Sequence, residues 1–251
     1  GKQIATGGKD GTVRLWNAAT GEQLWVCPLP HVKTIRCLAF SRDGASIAVG
    51  GHAEGVGLLA TATGKLRLLP TELSEGRNPY VWELAFGASG KTLYGSVSEG
   101  IIEWDVESGR FRVLHDAEGR SINGYAFSPD GRFFMAGQKG GGLLYDHKGK
   151  WIRSLHTPQA PRPQDEPNYC FSPDGTRVFA VLADHVRIWR TFDGIVSGAA
   201  HNPGEKLSHS RVAISPDNRM MAACCDDGWT RIWEVDSGLE RRRLHTPGDQ
   251  G

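Results

Sequence analysis

An all-β protein built from a repeated unit of four short antiparallel strands is predicted by three observations in the 251-residue sequence. A turn of the form Ser-Pro-Asp-Gly returns as SRDG at Ser41, GASG at Gly87, SPDG at Ser128 and Ser172, and SPDN at Ser215, with spacings of 46, 41, 44 and 43 residues. A second landmark, an aromatic residue or Leu followed by a polar hairpin ending in Gly, keeps the same period at Trp16, Leu59, Trp104, Tyr145, Trp189 and Trp233. Between landmarks the chain reads as short apolar or alternating runs bounded by Gly, Asp and Ser, with no amphipathic helix. A repeat of this length, whose faces can be buried only against its neighbours, is the sequence form of a β-propeller blade.

The elements follow in order from these landmarks. In each Ser-Pro-Asp-Gly turn, Ser caps, Pro presets φ and Gly relaxes the exit, which suits a type I turn joining the first two strands of a blade. In the fourth repeat the four strands fit residues 122–127, 132–138, 142–146 and 150–155. The blades are expected near residues 1–30, 31–70, 71–115, 116–156, 157–200 and 201–247. An innermost strand is expected near Ile35, Val81, Ile122, Tyr169 and Val212, but the first repeat begins with its second strand. The expectation is a single propeller with six sets of strands visible, either part of a seven-bladed or larger propeller or with its first blade closed by something outside these residues.

Composition removes several function classes. The chain carries 29 basic and 28 acidic side chains, a net charge of +1, so it has no basic excess to neutralise nucleic-acid phosphates or to hold an anionic membrane surface. No run approaches the roughly 18 apolar residues of a membrane span. The five cysteines (Cys27, Cys37, Cys170, Cys224, Cys225) include no CxxC, and adjacent Cys224 and Cys225 should point to opposite faces of a strand. They read as reduced thiols filling the core, which favours the cytoplasm.

Two segments, IATGGKDGTVRLWNAATG and MMAACCDDGWTRIWEVDSG, resemble repeats of the WD-repeat β-propeller family, and the chain is similar to its degenerate, bacterial-type members. In that family Ser or Thr, His, Asp and Trp do not form a hydrolase triad. The resemblance implies a buried structural network: His bonds the hydroxyl and the turn Asp, and the hydroxyl accepts from the Trp indole. Carried over by position, Thr6, Asp10 and Trp16 match in the first blade, His31 in the second, Trp104 in the third, Asp184 and Trp189 in the fifth, and Asp227 and Trp233 in the last. Ala180 and Ala223 stand where the hydroxyl should be, Val49, Ala53 and Leu59 replace three members beside His31, the fourth blade has Tyr145 and Lys139, and the first blade's His would lie before residue 1, so no blade has the full set. His31, His115, His156, His201 and His245 follow outer strands of different blades and cannot converge as metal ligands. No metal and no cofactor are expected. Arg241, Arg242 and Arg243 read as a guard against edge-to-edge pairing.

The resemblance also implies a partner face, where contact positions open the innermost strand or precede the turn Asp. These are Thr34 and Arg36, Tyr80 and Trp82, Ser121 and Asn123, and Ser208 and Ser210, with Lys9, Ser98, Gln138 and Asp226 before the turns. Arg36, Tyr80 and Trp82 stand out, because Arg, Tyr and Trp bury large areas at small entropic cost and dominate interface energetics. The alternative for Trp82 is inward packing. Two long loops, 70–79 and the proline-rich 156–167, flank this face. The expected function is a non-catalytic scaffold that docks a protein or peptide, with no nucleic acid or membrane partner. One alternative is a regulatory module of a longer signalling protein, such as a bacterial kinase, whose other domains it would contact. The other is an enzyme using the central channel, but the innermost strands offer one carboxylate, Glu83, and no histidine cluster.

Overall fold

The computed structural model describes residues 1–30, 32–53, 55–71, 80–98, 100–116, 124–138, 141–156, 168–182, 185–201, 207, 212–225 and 227–245. Among the described residues 23 strands form six antiparallel sheets, and the chain divides into two compact units. The unit Gly1–Ser121 holds three sheets. The first is three-stranded: β1 (Gln3–Gly7), β2 (Thr12–Asn17) and β3 (Gln23–Pro28). The second has β4 (Val32–Phe40), β5 (Ser46–Ala53), β6 (Val56–Ala60) and β7 (Leu66–Leu69). The third has β8 (Val81–Phe86), β9 (Thr92–Val97), β10 (Gly100–Asp105) and β11 (Phe111–Asp116).

The unit Ile122–Gly251 repeats the design. Its sheets are β12 (Tyr125–Phe127), β13 (Phe133–Gln138), β14 (Gly141–Asp146) and β15 (Trp151–His156); then β16 (Asn168–Phe171), β17 (Arg177–Val181), β18 (His185–Arg190) and β19 (Val196–His201); then β20 (Val212–Ile214), β21 (Met220–Cys224), β22 (Trp229–Glu234) and β23 (Glu240–His245). In all six sheets the strands pair in chain order, the meander of a propeller blade.

The Ser turns bond more extensively than their sequence suggests. Ser41 Oγ donates to Asp43 Oδ1 at 2.6 Å and accepts from the Ser46 amide at 2.9 Å, while Asp43 also accepts from the Ala45 amide. Ser128, Ser172 and Ser215 repeat this with Asp130, Asp174 and Asp217. The fourth turn position lies at positive φ, 71° at Gly44 and 61° at Asn218, a region that Gly enters freely and Asn tolerates.

The core lies in layers between successive blades. Val13, Leu15, Ile35, Ile47 and Leu59 join the first two; Leu58, Leu69, Val81, Leu93 and Trp104 join the second and third. In the other unit, Met135, Leu155, Tyr169 and Trp189 join the fourth and fifth blades, and Phe179, Ile188, Val212 and Trp233 the fifth and sixth. Cys224, the last residue of β21, is exposed, and Cys225, just past its end, is buried.

A further link repeats between blades. Trp25, Arg67 and Arg153 sit at one register position on the outermost strand, opposite Leu15, Leu58 and Leu144. Each donates to a backbone carbonyl in the hairpin of the following blade: Trp25 Nε1 to Thr61 at 2.8 Å, Arg67 to Val106 and, at 2.8 Å, to Glu107, and Arg153 to Phe192 at 2.7 Å. Hairpin carbonyls lie outside the strand ladder, so these side chains satisfy groups the sheet leaves open.

Candidate interaction surface

Two β-bulges at matching places in successive blades build the surface. Between β4 and β5, Ile35 pairs with Gly51 and Cys37 with Gly50, so Arg36 is the extra residue. Between β8 and β9, Val81 pairs with Val97 and Glu83 with Ser96, so Trp82 is the extra residue. A bulge reverses the phase of alternation. Thus Val81 (1% exposed) and Leu84 (6%) both face inward while Trp82, 43% exposed, faces out. The inward alternative for Trp82 is thereby excluded. Gly51 admits the bulge, since a Cβ there would collide with the Thr34 carbonyl.

The extra residues meet across the two blades. The Arg36 guanidinium lies over the Trp82 ring, 5.6 Å from its centroid. Trp82 stacks on Tyr80 at 5.4 Å with 17° between planes, and Tyr80 stacks on His52 of β5 at 4.4 Å and 13°. A single β-bridge joins His52 to Tyr80, and the Tyr80 amide donates to Ser98 Oγ at 3.2 Å while the Ser98 amide donates to the Tyr80 carbonyl at 3.1 Å. At exposed positions such as these, cation–π contact and ring stacking contribute about 0.5 kcal/mol each and favour this arrangement of the side chains. The result is a fixed row, Arg36–Trp82–Tyr80–His52, with two exposed aromatic rings at its centre.

Of the residues assigned to this face from sequence, Arg36, Tyr80, Trp82 and Ser98 come together, and the exposed Lys9 lies in a turn whose Gly8 carbonyl accepts from the Ile35 amide at 3.4 Å. His52 was missed; its signal, an aromatic residue one blade away from Tyr80, depends on a bridge that sequence does not display. Gln138 ends β13 in the other unit, with its side chain outside the description. Asn123, Asp226, Ser121, Ser208 and Ser210, and most of both long loops, also lie outside the described residues.

The structural network is present in part. In the first blade Trp16 Nε1 donates to Thr6 Oγ1 at 2.9 Å. Asp10 accepts from the Thr12 amide and hydroxyl and from Arg14, and the Thr12 amide first, then its hydroxyl and Arg14, hold this carboxyl below its usual value. The last blade keeps Asp227 bonded to the Trp229 amide and to Arg231 at 2.7 Å, but Trp233 Nε1 is buried without a hydrogen-bond partner. Trp104 requires a correction: its indole donates to the Pro70 carbonyl at 2.6 Å, because Gly95 occupies the hydroxyl position. Trp189 is buried at 2% exposure; His31 and Asp184 are outside the described residues. In the arginine run, Arg241 pairs with Glu234 at 2.5 Å and Arg243 with Glu240. Among the described residues no group of three or more His, Cys, Asp or Glu is placed to hold a metal ion, and no helix is long and apolar enough to cross a membrane.

The blades define a repeat-blade β-protein, and the row of rings is an exposed, ordered feature of its surface. A family model described as "WD domain, G-beta repeat" matches residues 1–17 and 194–234. The chain is similar to telomerase protein component 1 of Rattus norvegicus, 27% identical over 238 residues that cover 92% of this chain and 8% of that protein. It is 23% identical to the LST8 homolog of Drosophila melanogaster over 253 residues, 96% of this chain and 78% of that one. Small ribosomal subunit protein RACK1y of Oryza sativa subsp. japonica is 26% identical over 168 residues, covering 64% and 48%. These matches make the chain similar to WD-repeat proteins, in agreement with the repeated four-stranded sheets. They come from animals and a plant, so the bacterial type expected from sequence gains no support.

Proposed function

We propose that this chain is a non-catalytic WD-repeat scaffold that docks a protein or peptide on the Arg36–Trp82–Tyr80–His52 surface, with Ser98 and Lys9 at its margin. The single observation that carries the reading is the exposed, pre-stacked pair Tyr80 and Trp82, ejected by a bulge that the adjacent blade repeats at Arg36. Fixed aromatic rings lose little entropy on binding and exclude water over a large area, the properties of an interface anchor. The test is a photo-crosslinking phenylalanine analogue at position 82, with position 113 on β11 as an exposed control. A discrete protein adduct specific to position 82 supports docking, and equal adducts at both positions would falsify it.

A second reading, a regulatory module of a longer protein, is favoured by the rat relative, in which the similar segment is 8% of the whole. Its test is co-purification of a longer native chain with antibodies against residues 1–251.

A further inference from the structure

We propose that the segment taken by this surface is an acidic peptide, one that presents an Asp or Glu carboxylate beside a proline or aromatic side chain. The inference rests on the docking reading above and supplies the chemistry of the ligand. Nitrogen-bearing side chains stand at both ends of the stack, the Arg36 cation against Trp82 and the His52 imidazole, a hydrogen-bonding group, against Tyr80.

Arg36 carries the argument. The other described arginines that lie over a ring, Arg132 over Phe133 and Arg190 over Phe192, each also meet a carboxylate of their own chain, Asp130 at 2.5 Å and Asp193 at 2.6 Å. Among the described residues Arg36 has no carboxylate partner; it is exposed and lies over an indole. Stacking uses the face of a guanidinium and leaves its in-plane N–H fork for bidentate capture of a carboxylate. The ring restrains the guanidinium before a ligand arrives, which lowers the cost of ordering it.

The neighbouring groups agree in sign. The Ser98 hydroxyl accepts from the Tyr80 amide and so keeps its proton to donate, and Lys9 adds an exposed cation in the adjoining turn. A basic or methylated-lysine segment would meet Arg36 as a like charge, at a site where Trp82 already holds a cation. Flat, exposed Tyr and Trp rings are the complement of proline and aromatic side chains. Single-stranded nucleic acid could also stack on such rings, but it requires a basic track along its backbone, and the chain has 29 basic against 28 acidic side chains.

The test is titration of the intact chain, followed by calorimetry, with three peptides of equal length: Glu-Pro repeats around a central Tyr, the Gln-Pro counterpart and the Lys-Pro counterpart. An oligodeoxythymidine serves as the nucleic-acid arm. The expected result is at least about tenfold tighter binding of the Glu peptide than of the Gln peptide. Arg36→Gln should remove that preference, weakening the Glu peptide more than the Gln peptide, Arg36→Lys should restore part of it, and Trp82→Ala should weaken both. Equal affinity for the Glu and Gln peptides overturns the proposal. So do a preference that survives Arg36→Gln, tighter binding of the Lys peptide or the oligonucleotide, and a Glu-peptide Kd weaker than about 1 mM. Charge-independent binding that is lost in Trp82→Ala overturns the acidic ligand alone and leaves docking standing.

Discussion

Ala223 stands in the last blade at the place where, in the first blade, Thr6 accepts the indole N–H of Trp16. The registers coincide: Thr6 pairs with Arg14 and Ala223 with Arg231, two residues before each Trp. Trp233 is fully buried and its N–H has no partner, a cost of about 1–3 kcal/mol for a desolvated donor. Ala223→Ser supplies an acceptor for one added atom, small enough to limit overpacking. The expected gain is about 1 kcal/mol, read as a rise of about 2–4 °C in Tm. An unchanged or lowered Tm would show that the orphan N–H is not what limits this blade.

The clasp between blades predicts a local effect. Arg67→Met keeps most of the aliphatic stem and deletes the bonds to the Val106 and Glu107 carbonyls. Because Arg67 is solvent-exposed, the expected loss is small, about 1 kcal/mol. Hydrogen exchange should quicken in the 105–110 hairpin and stay unchanged in the first blade. Uniform acceleration across the chain would contradict a local latch.

Acid stability should depend on the Ser turns. Asp43 is held below the usual Asp value by the Ser41 hydroxyl and then the Ala45 amide, and Asp217 by the Ser215 hydroxyl and then the Arg219 amide. A carboxyl whose folded pKa is depressed adds stability that is complete above the unfolded value, about 3.9, and is lost as pH falls through the folded value. The Tm of the double variant Asp43→Asn, Asp217→Asn should therefore fall less steeply with acid below about pH 4 than that of the parent chain. Matching slopes would remove these turns from the account.

Much of the fold was legible because its determinants are local. Ser41, Ser128, Ser172 and Ser215 mark turns, and Trp104, Trp189 and Trp233 mark buried third strands. The site was legible only in part. Arg36, Tyr80 and Trp82 could be placed near a face, but their orientation depends on the two bulges, and simple alternation left Trp82 ambiguous. His52 joins the row through a bridge between blades, and Trp104 takes a carbonyl from the preceding blade's exit. The clasps of Trp25, Arg67 and Arg153 share a register but not one residue type, so no motif announces them.

Trp82 and its neighbour Val81 should separate binding from stability. Val81 is 1% exposed and packs in the layer between the second and third blades, where Gly50 approaches its side chain. Val81→Ala removes buried methyl groups and opens a cavity, with an expected cost of about 2 kcal/mol. Trp82 is the bulged residue; its ring touches Arg36 and Tyr80, so Trp82→Ala forfeits those contacts and little else, about 1 kcal/mol or less. The two variants, compared by thermal unfolding and by adduct yield from a crosslinker at position 80, should therefore trade places: Val81→Ala lowers Tm more, and Trp82→Ala lowers partner capture more. If Trp82→Ala destabilised the chain as much as Val81→Ala, the ring would be a structural prop, and the exposed row would lose its claim as the docking surface.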